Sequence, residues 1–406
     1  MSRHWIVSQI GAREHYAIPQ ALHGEEALAA LMTDFWVPPG HPIGKIPGGQ
    51  RLRERYHREL AGANVFAPNV RMLGKELEAR LGRRQGWSVM MGRNQVFQKQ
   101  AISFLRNRDW GNAEKPTLFS YSYAARDLFR YAKDQGWKTV LGQIDPGPEE
   151  ERIVGEEHAR YPDLTSSWRP APAEYWKLWR EELELADRII VNSEWSRECL
   201  LKEGVPGEKM EVVPLVYGDQ ATGKRVQDAG VMSDAIQNSE LKIQNLRVLF
   251  LGQINLRKGI GRLLDAMRML KAEPIELTLA GPSEIDPVAW ADLPNVDWVG
   301  PVPRSEVGGL YEQADVFILP TLSDGYAITQ LEALARGLPV IASRHCGAAV
   351  VHGGNGWILP DLEPATICEL LLEARNSSHL LKVATAPDFG LGDLTGALMG
   401  WSDIRG

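Results

Sequence analysis

The chain has 406 residues, 44% hydrophobic and 24% charged, with 45 Lys and Arg against 52 Asp and Glu. That length suits two domains with separate cores, and the formal charge of −7 argues against a general nucleic-acid binder. Cys199, Cys346 and Cys368 are too far apart for a CxxC metal site or a disulfide framework and suit a reducing compartment.

No apolar run approaches the roughly 20 residues of a membrane span, and Met1–Val7 lacks a secretory core. A soluble, cytoplasmic protein is expected. Short apolar runs bounded by Gly or Pro then alternate with helical spacing. The first predicted strand is Trp5–Ser8, and Ile10–Tyr16 opens the first predicted helix. From His41 to Trp110 there are 14 basic and five acidic side chains, with Arg53, Arg55 and Arg58 interleaved among Leu52, Leu60 and Phe66. Such a surface suits an anionic lipid or a phosphorylated substrate; alternatively it is a solvated helical face balanced elsewhere.

Further strands are predicted at Leu118–Tyr121, Thr139–Ile144, Arg188–Asn192 and Met210–Pro214, with helices at Glu174–Ala186 and Glu198–Lys202. A second series follows at Arg247–Leu251, Glu276–Ala280, Val296–Val299, Val316–Leu319 and Pro339–Ala342. Ile260, Leu263, Leu264, Met267 and Leu270 share one helical face, as do Val307, Leu310, Tyr311 and Ala314. The strands lack a period of two, as expected when both faces are buried. The alternation predicts an α/β protein with two doubly wound parallel sheets. The polar stretch 218–245 reads as a linker between domains 1–217 and 246–375. In the tail 376–406, Phe389, Leu391, Leu394 and Leu398 predict a short helix returning to the first domain.

The segment Pro320–Ala342, PTLSDGYAITQLEALARGLPVIA, is the most informative. A buried strand ends at Pro320, a loop carries Asp324 and Gly325, and a helix is predicted from Tyr326. Ligands of open α/β sheets bind at the carboxyl ends of the strands, where a helix start offers unpaired N–H groups to a diphosphate. Gly325 lets the backbone approach such a group closely. Asp324 and Glu332 lie eight residues apart, roughly 12 Å along a helical path. One carboxylate could meet ribose hydroxyls and the other sugar hydroxyls; alternatively one caps the helix and the other faces solvent.

The whole string resembles the acidic-x7-acidic signature of retaining GT-B glycosyltransferases of group 1, the superfamily of glycogen synthases and lipid mannosyltransferases. Asp324 stands where Glu is usual, and Ala327 where Gly is usual. Leu249–Gly259, LFLGQINLRKG, resembles the family's diphosphate-binding loop, with Lys258 matching and Gln253 replacing the usual Arg. Leu277–Pro282, Val299–Val302 and Glu182–Ser196 resemble further family elements, so the likeness covers roughly Glu182–Leu359.

The resemblance implies a GT-B fold of two Rossmann-like domains facing across a cleft, and metal-independent hexosyl transfer from a UDP- or GDP-sugar to an acceptor hydroxyl with retention, as in glycan biosynthesis. It implies that Arg257 and Lys258 hold the diphosphate, Glu332 the ribose and Asp324 the sugar. Gly281 would lie near the phosphate and Val302 near the base. The backbone of Gly325, Tyr326, Ala327 and Ile328 would face the diphosphate from the C-terminal domain, and Gly11 from the other side. Arg13, His15, Tyr121, Tyr123 and Arg126 are candidates for the acceptor side. Many family members place a His after a middle strand of the first domain. Here Asp145 is the nearest substitute, as hydrogen-bond acceptor or as base if burial raises its pKa; Asp before Pro is also a common turn residue.

No cofactor or metal is expected, since no Asp-x-Asp triplet or His/Cys cluster occurs. The expected partners are a nucleotide sugar and a sugar, glycan or lipid-linked acceptor, with peripheral contact to the inner face of an anionic membrane and no nucleic acid. A non-catalytic nucleotide-sugar binder and a sugar-nucleotide epimerase remain the alternatives.

Overall fold

Among the described residues, thirteen strands form two sheets in which every neighbouring pair is parallel. The computed structural model describes residues 5–46, 49–110, 115–164, 168–216, 243–377 and 389–400. The linker expected at 218–245 therefore lies outside the described residues except for its last three.

The first sheet comprises β1 (Trp5–Gln9), β2 (Leu28–Thr33), β3 (Val65–Phe66), β4 (Thr117–Tyr121), β5 (Lys138–Gln143), β6 (Arg188–Val191) and β7 (Met210–Val212), in the order β3-β2-β1-β4-β5-β6-β7. Its helices are α1 (Ala17–Gly24), α2 (Gln50–Arg53), α3 (Asn69–Leu81), α4 (Trp87–Arg106), α5 (Arg126–Asp134), α6 (Pro148–Arg160), α7 (Ala173–Leu185) and α8 (Glu194–Lys202). The second sheet comprises β8 (Leu246–Leu251), β9 (Ile275–Ala280), β10 (Val296–Gly300), β11 (Val316–Leu319), β12 (Val340–Ser343) and β13 (Gly356–Leu359), in the order β10-β9-β8-β11-β12-β13. It carries α9 (Ile260–Met269), α10 (Val307–Gln313), α11 (Ile328–Leu334) and α12 (Pro364–Asn376). The last helix, α13 (Leu391–Gly400), sets Leu394 and Leu398 into the core of the first sheet beside Ile18 and Leu22 of α1.

Both sheets reverse direction beside their first strand, β1 and β8, and so place a crevice at its carboxyl end. The strands are apolar on both faces because helices cover both: β11 is fully buried Val316, Phe317, Ile318 and Leu319. On α9, Ile260, Leu263, Leu264 and Met267 bury one face together with Ile367 and Leu371 of α12.

The domains are joined by polar contacts. Arg262 on α9 makes a two-pronged bond to Glu157 on α6, whose carboxylate is 1% exposed (2.9 and 2.8 Å). Tyr161 Oη donates to Asp265 at 2.8 Å, and Arg160 pairs with Glu363 at 2.7 Å. No helix among the described residues is long and apolar enough to cross a membrane.

Candidate functional site

The loop after β8 is shaped by its own sequence. Asn255 Oδ1 accepts the Lys258 N–H at 3.1 Å, capping a single turn, Leu256–Lys258. Gly259 leaves that turn at φ 73°, and a Cβ there would lie 1.9 Å from the Pro320 carbonyl oxygen. Only glycine permits both the left-handed backbone and that approach, which brings Lys258 beside the loop after β11. There Lys258 Nζ is ion-paired with Asp324 Oδ2, and Arg257 stands 3.5 Å from Asp324 Oδ1 and donates to the Ser323 carbonyl at 3.3 Å. Burial pushes the Asp324 carboxyl up, but Lys258 and Arg257 outweigh it and hold its pKa below the usual value. The result is an ionised carboxylate between two cations at the crevice mouth.

The expected helix start is corrected by two residues. α11 begins at Ile328, not Tyr326. The N–H groups of Asp324 and Ala327 are spent on the His345 and Cys346 carbonyls, both at 2.8 Å, because the loop is pinned to the segment after β12. Tyr326 packs against Gly347, and Ala327 is buried. Glu332 accepts from Tyr311 Oη at 3.0 Å. Gln253 donates to Glu284 at 2.9 Å, and Gly281 lies against the Gly252 carbonyl. Val302 is half-buried at the edge of the second core.

The first domain closes over this corner. The Gly325 Cα is so near the Ile144 carbonyl that a Cβ would lie 2.0 Å from it and 2.6 Å from Asn192 Nδ2. Trp195 Nε1 donates to Ser323 Oγ at 3.1 Å, and its ring stacks on His345 with centroids 4.0 Å apart. Asp145 follows β5 at the same seam. Its Oδ1 accepts from the Tyr123 hydroxyl, from the Gly147 N–H at 2.9 Å and from Gln143 Nε2 at 3.2 Å. Burial raises its pKa, against the pull of Tyr123, Gly147, Arg13 and Arg257. Glu150, on the first turn of α6, lies 3.8 Å from Arg257. Burial lifts its pKa to about 8, opposed by Arg257 and reinforced by Asp145 and Asp324.

The expected first helix does not start at Ile10. Residues Arg13–Tyr16 form a tight turn in which Glu14, His15 and Tyr16 have φ of 48°, 51° and 64°, and α1 follows from Ala17. The Gly11 N–H donates to the fully buried Asp34 at 2.8 Å, and the Arg55 guanidinium lies over Gly11. His15 Nε2 is 3.5 Å from Arg304 of the second domain, and its pKa is lowered by burial and by that cation. Tyr121 is buried in the first sheet. Arg126 is held by Asp127 at 2.8 Å and lines a cavity with Tyr123 between α4, α5 and α7.

A second cavity, of about 300 Å³, opens at the domain seam beside Asp145. Of the expected donor residues, Gln253 and Arg257 line it; Lys258 and Glu332 do not. Its wall includes Trp87, Trp168, Tyr175, Trp176, Glu150 and Glu151, which sequence reasoning missed. They come from separate elements with no shared motif; the only hint in the sequence was the run Glu149-Glu150-Glu151 following Asp145 and a turn. Among the described residues, no group of three His, Cys, Asp or Glu is placed to hold a metal ion.

Residues 245–376 match the family model of Glycosyl transferases group 1. The chain is similar to the amylovoran biosynthesis glycosyltransferase AmsK of Erwinia amylovora, with 28% identity over 43% of this chain and 44% of that protein. It is also similar to the D-inositol 3-phosphate glycosyltransferase of Kribbella flavida, with 31% identity over 44% of this chain and 46% of that protein. The matched stretch thus spans a little under half the length of these curated relatives. Among solved structures, sucrose-phosphate synthase (tll1590) of Thermosynechococcus elongatus superposes with a TM-score of 0.60 at 15% identity, covering 98% of each chain. Anabaena Alr3699/HepE in complex with UDP-glucose superposes with a TM-score of 0.56 at 13% identity, covering 98% of this chain and 100% of that one. Both likenesses concern the fold: two Rossmann-like parallel-sheet domains of the GT-B type. The match to Glycosyl transferases group 1 thus rests on residues 245–376, within a fold of the GT-B type.

Proposed function

We propose that this protein transfers a hexose from a nucleotide diphosphate sugar to an acceptor hydroxyl, with retention at the anomeric carbon. The observation that carries the reading is the corner in which Lys258 and Arg257 flank the ionised Asp324 at the carboxyl ends of β8 and β11. A diphosphate arriving there meets cations that stabilise the charge it gains as it leaves, while Asp324 accepts from sugar hydroxyls. The acceptor oxygen bonds to the anomeric carbon, the bond from that carbon to the diphosphate breaks with its electron pair, and the acceptor proton passes to the departing phosphate on the same face. Asp145, on the first-domain side of the seam and held through Oδ1 by three donors, orients the transferred sugar. Glu332 binds the ribose after exchanging its bond to Tyr311.

A thermal-shift screen of UDP- and GDP-sugars identifies the donor, because a ligand binding only the folded chain raises its stability. Release of nucleoside diphosphate with a glycosylated product then reports transfer. Lys258→Ala is expected to lower kcat/KM by about 10²–10³. Interconversion of the nucleotide sugar without nucleotide release would favour the epimerase, and a donor shift without turnover the non-catalytic binder.

The protein is further proposed to touch anionic membranes through α3. That helix exposes Val70, Leu77 and Leu81 on one face, with Arg71, Arg80 and Arg84 nearby. Flotation with phosphatidylglycerol vesicles is expected and should weaken on Leu77→Ser/Leu81→Ser; equal flotation of both proteins would remove the proposal.

A further inference from the structure

The seam cavity beside Asp145 has two kinds of wall. One is aromatic. Trp168 lies parallel to the His158 ring at 4.8 Å and 11°, and Tyr175 packs between Trp87 at 4.7 Å and Trp176 at 5.0 Å. The indole N–H groups of two of these rings are already spent. Trp87 donates to the Arg169 carbonyl at 2.9 Å, and Trp176 donates to Glu151 at 3.0 Å. What these rings can offer a ligand is their apolar surface. The other wall is acidic, with Asp145, Glu150, Glu151 and Glu284 against the single guanidinium of Arg257. Glu150 Oε2 is buried without a hydrogen-bond partner, an arrangement that costs free energy unless a ligand hydroxyl fills it.

Apolar faces beside hydrogen-bond acceptors, with an excess of acids over cations, suit a ligand rich in hydroxyl donors, bearing C–H faces and lacking negative charge. We propose that this cavity is the acceptor subsite and that its ligand is an uncharged pyranose, the terminal ring of a sugar or glycan. Calling that ligand the acceptor rests on the transfer reading above. The position agrees with it: the cavity meets the expected diphosphate loop at Gln253 and Arg257 yet includes none of Gly281, Val302, Tyr326 or Glu332, the other residues expected on the nucleotide side. A phosphorylated acceptor would bring its charge beside Glu151 and Glu284, with Arg257 the one Lys or Arg among the lining residues.

The test is a titration of the full chain, followed by saturation-transfer NMR and tryptophan fluorescence. The probes are the methyl pyranosides of glucose, mannose and galactose and, separately, glucose 6-phosphate and mannose 6-phosphate. At least one neutral glycoside is expected to bind saturably and more tightly than either phosphate. Trp168→Ala should weaken it roughly 3- to 10-fold, the scale of one aromatic contact, while Trp168→Phe restores most of the loss. Glu150→Ala, which removes the acceptor oxygen, should also weaken it, with an unchanged circular dichroism spectrum. Tighter binding of the phosphates, no neutral binding, or binding indifferent to both Trp168→Ala and Glu150→Ala would overturn the proposal. The donor reading is followed separately through the nucleotide-sugar thermal shift, which Trp168→Ala should leave unchanged. An equal loss of that shift in Trp168→Ala would make this the donor's own pocket and overturn the assignment. If a glycoside binds as described while no nucleotide sugar shifts the wild-type chain, the transfer reading fails and the pyranose site stands.

Discussion

Asp324 and Glu150 lie on either side of Arg257 and end in opposite charge states for one physical reason. Both are buried, which disfavours the carboxylate, but Asp324 has Lys258 in contact as well as Arg257, whereas Glu150 has only Arg257 at 3.8 Å. Cations win at Asp324 and burial wins at Glu150, whose pKa rises from 4.5 to about 8. The folded chain therefore holds a proton on Glu150 that the unfolded chain has released between those values. Its contribution to stability is complete below pH 4.5 and is lost as pH rises through about 8. Glu150→Gln should make the fall of Tm across this window shallower without abolishing it, since burial also raises Glu14 and Glu182 to about 7. Calorimetry of both proteins from acid to mildly basic pH checks this; an identical slope would show that Glu150 titrates as a solvated carboxyl.

At the scale of elements, the start of α5 depends on a side chain from α7. Glu182, 2% exposed, accepts the N–H groups of Tyr123, Ala125 and Arg126 at 2.6, 2.8 and 3.1 Å. No Ser, Thr, Asn or Asp cap is present at Ala125; a distant carboxylate takes that role. Glu182→Ala would strand these donors in the core and is expected to destabilise the chain by about 2–4 kcal/mol, with Glu182→Gln milder; chemical denaturation measures both. Local sequence carried little of this. It also hid β2, whose LAALMT run has helical propensity yet pairs with β1 along its length. The two-residue β3 and the four-residue β13 were too short to show a period. By contrast, α9 was legible because four of its large apolar residues bury one helical face, and β11 because it is an uninterrupted apolar run.

Across the whole molecule, Gly325 couples the two halves. A methyl group there would collide with the backbone of Ile144 and with Asn192, both in the first domain. Gly325→Ala is therefore expected to open the seam while leaving each domain folded. Small-angle scattering should report a larger radius of gyration, and turnover should fall by at least tenfold because the Asp145 and Asp324 sides no longer meet; unchanged scattering would mean that the Ile144 loop yields instead.

What the sequence determined alone was whatever lies within a short window: the alternation of buried strands and helices, and the contiguous loops that carry Lys258, Asp324 and Gly325, where spacing of neighbours along the chain nearly fixes spacing in three dimensions. Only the tertiary structure decided which partner each charge meets. Asp145 was visible as a residue but not its Tyr123 clamp, and Arg257 was visible but not its place between Asp324 and Glu150. The aromatic wall of Trp87, Trp168 and Trp176 is drawn from the start of one helix, a loop and another helix. Burial and electrostatic coupling depend on distances between residues far apart in the chain, and those distances exist only once the two sheets have closed on each other.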